Sequence, residues 1–211
     1  MGIIRDNDTV LFQGDSITDM GRLDTPDGLG LSYVAVIQGL LGLNPDAPHT
    51  HILNRGVGGD RTEELLARWE TDCEDLHADV LSLMIGVNDV WRITGEWNGQ
   101  TYIGPEEYEK NYRELLDRAL TSGVRDLILC SPTTIENGKN PKLTNLLAER
   151  RDIVKQFATE YKAVYVPMQE YQAQLLKSRP DIMWTADGCH PTIVGHTALA
   201  RCWLDTVRPC Q

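Results

Sequence analysis

Ser16, Asp187 and His190 are the residues of this chain whose types and surroundings fit nucleophilic catalysis. Ser16 lies in Gly14-Asp15-Ser16-Ile17-Thr18-Asp19, directly after the apolar run Val10-Leu11-Phe12. A serine at the exit of a buried strand can present its hydroxyl to a substrate, but the hydroxyl is a weak nucleophile without a neighbouring base. Asp187-Gly188-Cys189-His190-Pro191 offers that base. His190 can take the proton, and Asp187 can fix its tautomer and stabilise the imidazolium.

Attack on an ester builds an oxyanion, which needs preorganised donors. Two further clusters, Asn54-Arg55-Gly56-Val57-Gly58-Gly59 and Gly86-Val87-Asn88-Asp89, also follow apolar runs. Asp60-Arg61-Thr62-Glu63 reads as a helix N-cap with its acidic partner three residues on. That places the Gly59 N–H near a helix N-terminus, where donors and dipole favour negative charge. Gly58 is the alternative to Gly59. The Asn88 amide and the Ser16 N–H would complete the set. Each cluster alone has a plainer reading as a turn, a tight connection or a cap. Together, in order and each behind a strand candidate, they suit acyl transfer.

Strand candidates run over Thr9–Phe12, His51–Leu53, Val80–Ile85, Leu127–Cys130 and Ala163–Val166. Their continuous apolar character indicates strands buried on both faces, as in a parallel sheet. Helical periodicity covers Tyr33–Leu43, Thr62–Cys73, Pro105–Thr121, Leu143–Tyr161 and Pro191–Leu204, with Pro105 and Pro191 suited to a first turn. This alternation predicts a doubly wound α/β domain spanning 1–211, with ligands at the carboxyl ends of the strands. Asp19–Leu31 and Trp91–Gly104, rich in Gly and polar residues, could shape the mouth of a pocket.

A net charge of −11 argues against a nucleic-acid partner and against anionic membrane surfaces. No apolar run reaches the roughly 20 residues of a membrane span, and the charged start Met1–Asp8 does not read as a signal peptide. Five scattered cysteines suit a reducing cytoplasm better than a disulfide framework, although Cys202 and Cys210 could pair. No Gly-x-Ser-x-Gly elbow occurs, since Thr18 stands where its second glycine belongs; Walker A, Rossmann and His-Glu-x-x-His patterns are missing too. Asp15, Asp19 and Asp89 are conceivable metal ligands but sit beside residues with better explanations. No metal or cofactor is expected.

The four clusters resemble the blocks of the SGNH (GDSL-type) hydrolases, in order, over nearly the whole chain. The resemblance implies a flavodoxin-like three-layer α/β/α sandwich around a five-stranded parallel sheet. It implies Ser16 as nucleophile, Gly59 and Asn88 as oxyanion donors beside the Ser16 N–H, His190 as base and Asp187 as its orienting acid. Gly14–Arg22, Met84–Arg92 and Arg68-Trp69-Glu70 look like the intracellular acetylxylan and xylo-oligosaccharide esterases. One departure from that branch is Trp184-Thr185-Ala186-Asp187, where the tryptophan stands further from the acid than the pattern leads one to expect.

Trp91-Arg92 follows the Asn88 block, and an indole face with a guanidinium suits a sugar. Packing beneath its own loop is an equal reading of Trp91. Asp15 and Trp184 complete the candidate substrate-binding set, whereas Trp69, Trp203, His49, His51, His77 and His196 read as structural or exposed. The expected substrate is a small acylated carbohydrate. Longer acyl esters or thioesters are the alternative for an enzyme, and a non-catalytic carbohydrate-binding relative is the alternative outside catalysis. A homo-oligomer is compatible with the family.

Overall fold

Short segments rich in Val, Leu and Ile build five strands, β1 (Thr9–Gly14), β2 (His51–Asn54), β3 (Val80–Met84), β4 (Asp126–Cys130) and β5 (Val164–Val166). The computed structural model describes residues 3–91, 100–133 and 141–207. The strands pair in the order β2-β1-β3-β4-β5, all parallel, so that Val10 lies opposite Ile52 on one side and Val80 on the other. The expected five-stranded parallel sheet is present. Every residue of β3 is buried, as the continuous apolar pattern required.

Alternate strand residues feed two cores. Val10, Phe12, Val80 and Ile128 face α2 (Tyr33–Gly42) and α9 (Ile193–Val207), whose Tyr33, Ile37, Leu199 and Trp203 complete that layer. Leu11, Leu81, Leu83 and Leu129 face α3 (Thr62–Ala67), α6 (Pro105–Thr121) and α7 (Pro141–Glu160), through Leu65, Tyr112, Leu115 and Phe157. From β1 the chain moves outward to β2 and then returns to β3 on the other side of β1. The carboxyl end of β1 is therefore the switch point of the sheet, the place where open α/β folds open a crevice.

Several boundaries differ from expectation. The helix expected over Thr62–Cys73 breaks at Arg68 (φ −109°, ψ 7°), leaving α3 and the short α4 (Trp69–Asp72). Arg68 is drawn inward there: it donates to Asp60 Oδ2 (2.7 Å), Asp72 Oδ2 (3.0 Å) and Gln13 Oε1 (3.0 Å). The last helix starts at Ile193 rather than Pro191. Pro191 instead bridges Thr185 in antiparallel fashion, and the Thr192 hydroxyl accepts the Gly195 N–H (3.3 Å) as a cap. Three helices carried no clear sequence signal: α1 (Ser16–Asp19), α5 (Val87–Trp91) and α8 (Met168–Ser178). Cys73, Cys130 and Cys202 are buried free thiols, Cys189 is buried as well, and Cys210 lies outside the described residues.

Candidate active site

β1 ends at Gly14, packed so closely that a Cβ there would lie 2.5 Å from the Met84 carbonyl oxygen. That contact lets the chain turn at once into α1. Asp15 caps α1, accepting the Ile17 N–H at 3.0 Å. Ser16 thus occupies the first helical position, where its N–H has no intrahelical acceptor. Its Oγ lies 2.9 Å from His190 Nε2.

His190 is held by a turn of its own. Asp187 Oδ2 meets His190 Nδ1 at 2.6 Å, and Asp187 Oδ1 accepts the N–H groups of Cys189 (2.9 Å) and His190 (2.7 Å). Thr185 Oγ1 donates to the His190 carbonyl at 2.8 Å, closing the turn. Burial opposes ionisation of Asp187, yet the ring and backbone donors outweigh it and draw its carboxyl down to about 2. A permanently ionised acid fixes the Nδ1–H tautomer and leaves Nε2 facing the serine.

The loop after β2 passes beside Ser16. A Cβ on Gly58 would lie 3.9 Å from Ser16 Cβ. The Gly58 N–H donates to Asp19 Oδ2 at 3.2 Å, so it is already committed. Gly59 sits at φ +86°, a conformation that favours glycine. Asn88, on α5 after β3, commits one amide hydrogen to the Asp60 carbonyl (3.0 Å) and keeps a second. Asp60 is not the cap of α3 that the sequence suggested. Arg61 holds that place, its N–H donating to Glu64 Oε2 (3.0 Å), while Asp60 pairs with Arg68.

Residues outside the expected set hold these loops together. Asn54 is buried at the end of β2, donating to the carbonyls of Thr18 (2.7 Å) and Leu29 (2.8 Å) and accepting from Gly56 (2.9 Å). Arg22 Nε donates to the Gly56 carbonyl at 2.7 Å. Asp89 Oδ1 accepts from Thr62 N (3.1 Å) and Thr62 Oγ1 (2.7 Å). Behind it Arg150, fully buried, donates to the Ile103 carbonyl at 2.6 Å, its guanidinium over the Tyr102 and Tyr108 rings. His196 Nδ1 accepts the Tyr33 N–H at 3.1 Å, and burial pulls this imidazole down to about 4, so it stays neutral. The signal for these partners is tertiary.

The expected substrate-binding residues are not all placed at a surface. Asp15 is interior, and its burial, with Asp89 and Asp60 nearby, pushes the carboxyl up to about 7. Trp184 packs among Ala198, Tyr171 and Leu175 and donates its indole N–H to the Arg179 carbonyl at 3.0 Å. Both ring and N–H are engaged in the interior, so Trp184 offers no open face to a sugar. Trp91 is half-buried against Val90, Leu143 and Leu147. Arg92 lies outside the described residues.

Residues 12–198 match the profile of the GDSL-like Lipase/Acylhydrolase family. An acetylxylan esterase from Geobacillus stearothermophilus is 33% identical over 95% of this chain and 94% of its own length. The crystal structure of that organism's acetylxylan esterase Axe2 superposes with a TM-score of 0.87 at 32% identity, covering 99% of this chain and 97% of Axe2. An alpha/beta hydrolase enzyme from the metagenome of Lake Arreo, Spain, reaches a TM-score of 0.88 at 28% identity, covering 98% of each chain.

Proposed function

The chain belongs to the GDSL-like lipase/acylhydrolase family of ester hydrolases, and from that premise we propose that it removes acetyl groups from xylo-oligosaccharides through an acyl-enzyme on Ser16. The observation that carries this reading is the relay Asp187–His190–Ser16, with contacts of 2.6 and 2.9 Å, beside the loop that carries Gly58. Ser16 attacks the acetyl carbon as His190 Nε2 takes the hydroxyl proton. The tetrahedral oxyanion is met by the N–H groups of Ser16 and Gly59 and the Asn88 amide. Collapse releases the sugar hydroxyl with the proton from His190, and water activated by the same ring then frees acetate.

The likeness to the Geobacillus esterase supports an acetylated sugar as substrate. The free, buried thiols of Cys73, Cys130 and Cys202 support a reducing compartment such as the cytoplasm. Among the described residues no helix is long and apolar enough to cross a membrane. The excess of acidic groups supports a partner other than nucleic acid. We further take residues 1–211 to act as one domain, able to assemble with copies of itself.

Acetate release from acetylated xylo-oligosaccharides tests the substrate, with Ser16→Ala as the control. Rapid release by the wild-type chain and none by the variant is the expected result. Fast turnover of long-chain acyl thioesters with no acetate released would overturn the sugar assignment. Activity surviving in Ser16→Ala would overturn the nucleophile.

A further inference from the structure

Ser16, Gly59 and Asn88 follow β1, β2 and β3, and the sheet places β1 between the other two. β2 and β3 share no ladder and lie two strand spacings apart, roughly 10 Å. The sheet therefore does not set the distance from the Gly59 loop to Asn88, although an oxyanion tolerates donors only within about 2.7–3.1 Å. The connection is made above the sheet. Asn88 Nδ2 reaches the Asp60 carbonyl (3.0 Å), and the next residue, Asp89, takes both donors of Thr62 on one carboxylate oxygen, at 3.1 and 2.7 Å. Asn111 Nδ2 lies 3.2 Å from Thr62 Oγ1 and turns that hydroxyl toward Asp89. Asp89 is in turn held from behind, its carbonyl accepting the Ile103 N–H at 3.0 Å. Asp89 and Thr62 are both fully buried, and there a charge-assisted hydrogen bond is strong and its geometry well defined.

We propose that Asp89 is a positioning residue that sets the spacing of the two oxyanion donors by clamping Thr62, and with it the Gly59 loop, to the start of α5. It touches no reacting atom. The proposal rests on the reading of Gly59 and Asn88 as oxyanion donors. Because the donors matter most when charge has developed, loosening the clamp acts on kcat rather than on KM.

The test measures p-nitrophenyl acetate hydrolysis by Thr62→Val, Thr62→Ser, Asp89→Asn and Asn88→Ala, with circular dichroism reporting the folded fraction. Thr62→Val keeps the shape and removes the hydroxyl. It should lower kcat by about 10-fold or more with KM within about 2-fold, and Thr62→Ser should restore most of that loss. Asp89→Asn keeps an acceptor but loses the charge; it should show the same kcat-selective loss, and it carries the test if Thr62→Val does not fold. Combined with Asn88→Ala, the loss from Thr62→Val should be less than additive, since both act on one oxyanion. A rise in KM at unchanged kcat, full additivity, or a loss equal to the unfolded fraction would each overturn the clamp. Unchanged kcat in Asn88→Ala would overturn the donor assignment instead, and the clamp with it.

Discussion

The turn that carries Asp187 and His190 and the interior that holds the loops of Gly59 and Asn88 are built in opposite ways. Asp187 and His190 keep 53% and 44% of their side chains exposed and are fixed by bonds within a single turn. Asn54, Thr62 and Asp89 are almost wholly buried and are fixed by partners from other strands and helices. In the proposed mechanism the first region moves protons and must meet water and substrate. The second must hold still, and burial supplies the low dielectric in which fixed dipoles act strongly. Damage to the first should therefore appear as lost chemistry in a folded protein. Damage to the second should appear as lost stability as well.

His190→Ala should show the contrast most sharply, with kcat falling on the order of 10⁵-fold and the melting temperature nearly unchanged. Steady-state kinetics with thermal unfolding checks it, and a large fall in stability would erase the distinction. Asp187→Asn should cost on the order of 10⁴-fold through the wrong tautomer, again in a folded chain. Asn54→Ala is the counterpart in the buried region: with two carbonyls and one N–H losing their partner, denaturant unfolding should report about 3 kcal/mol of destabilisation. A stable, merely slow variant would place Asn54 with the chemistry instead.

Asp15 sharpens the comparison through pH. Its carboxyl titrates at about 7 in the folded protein against 3.8 unfolded, so the folded state keeps a proton that the unfolded chain releases. The sign follows: stability falls as pH rises across that window. Asp15→Asn should flatten the fall, seen as a smaller difference between denaturation midpoints at pH 5 and pH 8; an unchanged slope would contradict the burial argument. The smallest effect is expected for Trp184→Phe. It removes the indole bond to the Arg179 carbonyl, costs about 1 kcal/mol and leaves KM for acetylated sugar unchanged.

The same contrast explains what could be read from the sequence. The strand exit before Ser16 and the turn from Asp187 to His190 are legible because each is a local feature. The parallel sheet was legible because its strands are apolar on both faces. Asp89 and Thr62 meet across 27 positions and Asn54 and Thr18 across 36, and no local pattern announces such pairs. The break at Arg68 is likewise tertiary, set by Asp60 and Gln13 rather than by helix propensity. Thr192 displaced Pro191 at the head of α9 because its hydroxyl can accept an N–H. α8 carries little amphipathic signal because only Met168 and Gln172 of its residues are buried. Trp184 lies in the interior because its neighbours arrive from α8 and α9, a packing that no local pattern announces.

Ser16 and His190 stand 174 positions apart. A ribosome makes the proposed nucleophile well before the proposed base. Until His190 has been added, the nascent polypeptide carries a serine without that imidazole to deprotonate it. On this reading esterase activity switches on only when the segment leading into α9 emerges and docks beside β1. Appearance of activity during translation would time the docking of that last helix.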